Sequence, residues 1–202
     1  MNILVLLLIG LLPLRTYALE LRVGDIILQP RDCWSCDLIE AQENSIYSHM
    51  GMVIEVDPIV KIIDALGTVK ISELQQFDLG TQKNQKLSVR RFRNQEIVEF
   101  IQNNHNQFIQ LYLDNFHGLS YDNDFEWNNF DETGNEKLYC SEMITKLFSS
   151  FLGIKLPMKR MKFDVNRDQW IKYFNGSPPD GKWGNAPADF EKAEIFYEVG
   201  NI

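Results

Sequence analysis

Hydrophobic and polar positions along this chain repeat with two different periods, and each change of period marks an element. The first apolar run, Ile3 to Leu14, is broken only by Gly10 and Pro13. Leu21 to Gln29 reads as a turn feeding a buried strand, which Pro30 stops. Residues 31–46 read as a loop and a short helix. Tyr47 to Val56 and Ile59 to Gly67 are rich in Val and Ile and flank Asp57-Pro58, which predicts a β-hairpin. Thr68 to Leu79 reads as a strand end followed by a short polar helix, Gly80 to Gln85 as a loop, and Lys86 to Phe92 as a further alternating strand. From Asn94 to Phe116 the period lengthens. Ile97, Phe100, Ile101, Phe108, Leu111 and Tyr112 fall along one side of a single long helix, with His105 on its exposed side. Met143, Ile144, Leu147, Phe148 and Phe151 recur at helical spacing after Cys140. Pro157 to Gly184 is expected to be a surface excursion, and Ile195 to Val199 a closing strand. No internal repeat or linker interrupts the chain.

Composition narrows the picture. With 202 residues, 45% hydrophobic and 12% aromatic, the chain is a globular protein with room for one substantial core. Its net charge is −8 and no run of like charge occurs, which argues against nucleic acid or an anionic membrane surface as partner. The apolar N-terminal run ends at Arg15-Thr16-Tyr17-Ala18, where Thr16 and Ala18 are small enough for the −3 and −1 positions of a signal-peptidase site. No Lys or Arg precedes the run, and it is shorter than the roughly 20 residues a membrane span requires. Residues 1–18 are therefore expected to be a secretory signal peptide and 19–202 one domain, exported to the periplasm or secreted. No later stretch reads as a membrane span.

The exported chain holds Cys33, Cys36 and Cys140. Residues three apart can close a disulfide, so Cys33 and Cys36 are candidates for one outside the cytosol. Thioredoxin-like chemistry would need a strand–helix–strand setting around the Cys-x-x-Cys, and a zinc site would need two further ligands nearby. Neither is visible. The acidic stretch 120–136 does not make a calcium loop of the EF-hand kind, because Trp127 stands where the turn glycine belongs. Cys140 is left unpaired at a predicted helix start, where the helix dipole and free backbone N–H groups favour a thiolate. Thiol catalysis also needs an imidazole and a group that fixes its tautomer. Closing the hairpin at Val56 and Ile59 pairs Gly51 with Asp64 and His49 with Leu66, making Asp64 the diagonal same-face neighbour of His49, about 7–8 Å away between backbones. A register two residues along would set Asp64 opposite His49, and a one-residue slip would turn it to the other face. Glu55 shares the face of His49 but lies roughly 20 Å along the strand. Cys140, His49 and Asp64 are thus the candidate catalytic residues, with the Cys140 backbone N–H as a candidate oxyanion donor.

Gly24-Asp25-Ile26-Ile27-Leu28-Gln29, Tyr47-Ser48-His49-Met50-Gly51-Met52-Val53, Ile63-Asp64-Ala65, Tyr121-Asp122-x-x-Phe125, Tyr139-Cys140-Ser141-Glu142-Met143 and Pro187-Ala188-Asp189 together resemble the permuted NlpC-type cysteine hydrolases of the YiiX-like branch. The resemblance implies an α+β, circularly permuted papain-like fold, with an antiparallel, partly rolled sheet against helices and the histidine strand preceding the cysteine helix. It implies His49 as base, Cys140 as nucleophile, Asp64 as orienter and Tyr121 beside the scissile carbonyl. Relatives often carry Glu or His in place of Asp64. The implied substrate is a cell-wall peptide (a peptidoglycan fragment) or a related small amide, with neither metal nor organic cofactor needed. The same fold also serves lipid acyl transfer and lipid amide hydrolysis, as in proteins similar to lecithin:retinol acyltransferase. A non-catalytic binding module is a third reading, against which the intact Cys, His and carboxylate argue.

Overall fold

A computed structural model describes residues 19–202, and the expected signal peptide lies outside the described residues. The chain runs through β1 (Ile26–Gln29), α1 (Trp34–Glu43), β2 (His49–Glu55), β3 (Lys61–Leu66), β4 (Thr68–Glu73), α2 (Leu74–Asp78), β5 (Ser88–Phe92), α3 (Gln95–Asn103) and α4 (His105–Asn115). It continues through β6 (Asn129–Phe130), β7 (Glu136–Lys137), α5 (Cys140–Leu152), β8 (Lys159–Arg160), α6 (Arg167–Tyr173), β9 (Trp183–Gly184), α7 (Pro187–Lys192) and β10 (Phe196–Asn201). Six strands form an antiparallel sheet in the order β10-β5-β1-β2-β3-β4, and two short strand pairs, β6–β7 and β8–β9, lie outside it. This is the α+β architecture expected.

Strand alternation divides the core. Met50, Met52, Ile54, Ile63 and Ala65 pack with Met143, Ile144, Leu147 and Phe148 of α5 in the larger cluster. Ile27, Val53 and Ile62 join Phe77, Leu87 and Val89 in a second cluster. The hairpin has the expected register, Gly51 facing Asp64 and Val53 facing Ile62. A bulge beyond Val53 then sets Glu55 against Lys61, whose ammonium lies 2.7 Å from the Glu55 carboxylate.

The Gly-Asp pair before β1 is structural. Gly24 has φ +89°, and a Cβ there would meet Ile101 at 3.0 Å. Asp25 is buried and takes the Arg91 guanidinium bidentately, Nε to Oδ1 and Nη2 to Oδ2, each at 2.7 Å. This ion pair ties the β1 turn to β5.

Two expectations need correction. The stretch 94–116 is two helices, broken at Asn104, where the backbone leaves helical geometry (φ −113°, ψ 24°). His105 is half-buried rather than exposed, and its Nε2 lies 2.8 Å from the Ile54 carbonyl oxygen. That bond anchors the start of α4 to the end of β2. Nor is the stretch 157–184 merely a surface excursion. Its Met161, Phe163 and Trp170 are buried with Leu38, Phe125 and Tyr139 in a third apolar cluster.

Candidate active site

Cys140 occupies the first position of α5 because Tyr139 before it is extended (φ −89°, ψ 166°), and the apolar face of the helix then docks on the sheet. The residue is 5% exposed and is the free cysteine among the described residues. His49 opens β2, and Asp64 lies across the hairpin on the same face. The diagonal relation brings His49 Nε2 to 3.1 Å from Asp64 Oδ2, while Ser72 Oγ lies 3.5 Å from Asp64 Oδ1. With Nε2 committed to Asp64, Nδ1 is the ring nitrogen left for the Cys140 sulfur.

Burial alone would lower the pKa of His49. The hydrogen bond to Asp64 and the neighbouring Cys140 sulfur outweigh it and raise the value to about 9. Phe77 of α2 stacks on the imidazole, ring centroids 5.4 Å apart. Gly51 makes this arrangement sterically possible. It lies directly opposite Asp64, and a Cβ there would come within 2.4 Å of Ile62 Cγ2 and 3.0 Å of Phe77. The Ser-His-x-Gly pattern thus has a packing reason: the glycine leaves room beside the His–Asp contact.

Tyr121 is carried to the site by backbone pairing. Its N–H donates to the Gly67 carbonyl at the β3–β4 turn, and it bridges Leu138, two residues before Cys140. Burial and the nearby Cys140 push its phenol well above the usual range. The acidic loop that follows is organised by Asp122, which is fully buried and accepts from Asp124 N, Glu126 N and Asn129 Nδ2 at 2.8–3.0 Å. Cys33 and Cys36 lie at the start of α1 with their sulfurs 2.10 Å apart, at bonding distance.

A cleft with about 430 Å³ of open space, partly continuous with solvent, leads to Cys140. Its walls combine Tyr121, Phe125, Tyr139 and Ser48 with Ile39, Gln42 and Glu43 of α1, with Met161, Lys162, Phe163 and Trp170, and with Asn185, Ala186 and Pro187. The last segment is bound to the helix start: Ser141 Oγ donates to the Asn185 carbonyl at 3.1 Å, and Asn185 Nδ2 donates to Thr145 Oγ1 at 2.7 Å. Ser48, Trp170 and Asn185 were not singled out from the sequence. The Ser48 and Pro187-Ala188-Asp189 patterns pointed near two of them, whereas nothing in its local pattern marks Trp170.

The fold, with a histidine strand ahead of a cysteine helix on an antiparallel sheet, is of the permuted papain-like class. Residues 20–196 match the family described as "Permuted papain-like amidase enzyme, YaeF/YiiX, C92 family". The chain belongs to this family, and is a cysteine hydrolase by class. It is 29% identical over 155 residues to the uncharacterized protein YiiX of Escherichia coli (strain K12), covering 76% of this chain and 71% of that protein. The crystal structure of YiiX from Escherichia coli O157:H7 superimposes with a TM-score of 0.74 at 23% identity, covering 90% of this chain and 97% of that one. That relative is described as a metalloprotein. Among the described residues of this chain, no three His, Cys, Asp or Glu side chains converge as metal ligands would. The described residues do not build a metal centre. Among the same residues, no helix is long and apolar enough to cross a membrane.

Proposed function

We propose that the chain is an exported cysteine amidase that cleaves an amide bond in a peptide, a peptidoglycan fragment or a related small amide through Cys140, His49 and Asp64. The observation that supports it most is the 3.1 Å contact of Asp64 with one imidazole nitrogen, which leaves the other free for the neighbouring Cys140 sulfur at the head of α5. In this reading the Cys140 proton already resides on His49, whose charged form Asp64 favours, and the sulfur attacks the scissile carbonyl carbon as a thiolate. The developing oxyanion is met by the Cys140 backbone N–H, with Tyr121 beside it. When the C–N bond breaks, His49 returns the proton to the leaving amine, and an acyl group remains on sulfur as a thioester. Water, deprotonated by His49, releases the acid and restores the thiol. Asp64 keeps Nε2 protonated and stabilises the imidazolium. The Cys33–Cys36 pair is read as a structural disulfide of the exported protein.

A lipid amide or acyl-transfer substrate is the second reading, supported by the predominantly apolar walls of the cleft. Mass spectrometry of products from peptidoglycan fragments and from lipids, comparing the wild type with Cys140→Ala, separates the two. New amine and acid termini in peptide fragments, absent with Cys140→Ala, are the expected result. Release only from lipid would replace the first reading with the second, and products that persist with Cys140→Ala would overturn both.

A further inference from the structure

The charge of this protein is unevenly placed. The whole chain carries −8, yet residues 158–183 hold six Lys and Arg against three Asp and no Glu. Lys159 is held by Glu43 and Asp189, and Arg167 by Asp180. Arg160, Lys162, Lys172 and Lys182 have no carboxylate within ion-pair distance among the described residues. Two of these cations lie on tryptophan faces. The Arg160 guanidinium is 4.3 Å from the centre of the Trp183 ring, and the Lys172 ammonium 5.6 Å from that of Trp34. Both tryptophans are about half exposed, at 48% and 47%, and Val165 and Ile171 of the same segment are exposed as well.

This face is continuous with the cleft. Lys162 lines the cleft mouth. Trp34 packs against Tyr173 at 6.2 Å, and Tyr173 stacks on Phe125 of the cleft wall at 5.6 Å. Trp34 sits between Cys33 and Cys36, so the bonded sulfurs clamp the turn that presents it. Exposed tryptophan and aliphatic side chains among unpaired cations suit an interface that is apolar at one depth and anionic at another.

We propose that Trp34, Arg160, Lys162, Lys172 and Trp183 form a docking surface for an anionic lipid bilayer, which sets the mouth of the Cys140 cleft against the membrane. The remaining acidic surface favours this orientation, because anionic headgroups repel it while attracting the basic face. Asp164, Asp168 and Asp180 lie in the same segment and temper the attraction, so binding is peripheral, reversible and sensitive to salt. The surface does not depend on the hydrolase reading.

Co-sedimentation of the full domain with phosphatidylcholine vesicles, with and without phosphatidylglycerol, tests it. Binding should require phosphatidylglycerol and weaken as salt rises. Each cation near an anionic surface contributes about fivefold, so Arg160→Gln/Lys162→Gln/Lys172→Gln should weaken binding roughly a hundredfold. The exposed pair Lys83→Gln/Lys86→Gln, outside the segment, should leave it unchanged. Trp34→Ser/Trp183→Ser should weaken binding at high salt, where the charge contribution is screened. Circular dichroism confirms that each variant is folded, and Trp183→Ser alone serves if the double variant is not. No binding to phosphatidylglycerol vesicles, or equal loss with the Lys83/Lys86 variant, overturns the proposal. Capture by anionic glycan without any vesicle binding also overturns it and assigns the face to a polymer.

Discussion

The His49 imidazole is held in its charged form at neutral pH by the carboxylate and the sulfur on either side of it, against the cost of its burial. A folded-state value of about 9 lies above the ordinary 6.5, so the stabilisation it brings is fully present below pH 6.5 and is lost as pH rises through 9. In the proposed mechanism the same deprotonation removes the proton needed by the leaving amine. The rate kcat/KM should therefore fall on an alkaline limb near pH 9. Asp64→Asn removes the carboxylate that raises this value, so the limb should move down toward 6.5 and the rate at neutral pH should drop roughly a hundredfold or more. A pH–rate profile of both proteins checks this, and an unmoved limb would remove Asp64 from the role of orienter. Gly51→Ala should cost about 1–3 kcal/mol in urea unfolding, because a methyl at that point must displace Ile62 and Phe77. It should lower activity as well, since Phe77 stacks on His49. These residues were legible in the sequence because the hairpin carries its own register: strand alternation and the turn at Asp57-Pro58 decide which carboxylate meets the histidine. His105 was misjudged, since its polar neighbours give no sign of the strand-end carbonyl that reaches it.

At the scale of elements, short-range pattern was informative where one amphipathic segment meets one neighbour. The β2–β3 hairpin and α5 are of this kind, and both match their predicted extents closely. The expected long helix is divided at Asn104 although its apolar stripe continues through the break, and the contact from His105 to the Ile54 carbonyl beside that break is tertiary and leaves no mark in the local pattern. The segment 157–184 failed for a related reason. Its prolines and glycines mark turns correctly, but Trp170 is buried by rings from Phe163, Tyr173 and Phe174, and a list of turn residues does not foresee that cluster. The Gly24-Asp25 pattern belongs to this scale too. Asp25→Ala leaves Arg91 buried without its partner and should cost about 3–5 kcal/mol. Urea unfolding measures this loss. Under conditions where the variant is still folded, kcat should stay near the wild-type value, since the pair lies in the β1–β5 junction; a selective loss of kcat without loss of stability would contradict this placement.

For the molecule as a whole, the order of motifs carried the fold: the histidine strand precedes the cysteine helix, and the match to a permuted papain-like family spans residues 20–196. The substrate was far less legible, because the cleft walls are drawn from α1, the 158–170 segment and residues 185–187, which only folding brings together. Net charge misled in a similar way, since an acidic total hides a basic face beside the cleft. The proposed function depends most on Cys140 being an activated nucleophile. Its most direct test is the rate of alkylation of the folded domain by iodoacetamide at pH 7, read by intact mass and peptide mapping beside His49→Ala and a free cysteine standard. The expected result is a single modification, at Cys140, faster than free cysteine and slowed by His49→Ala although the residue is only 5% exposed. Labelling of the folded domain no faster than free cysteine, or unchanged by His49→Ala, would contradict it.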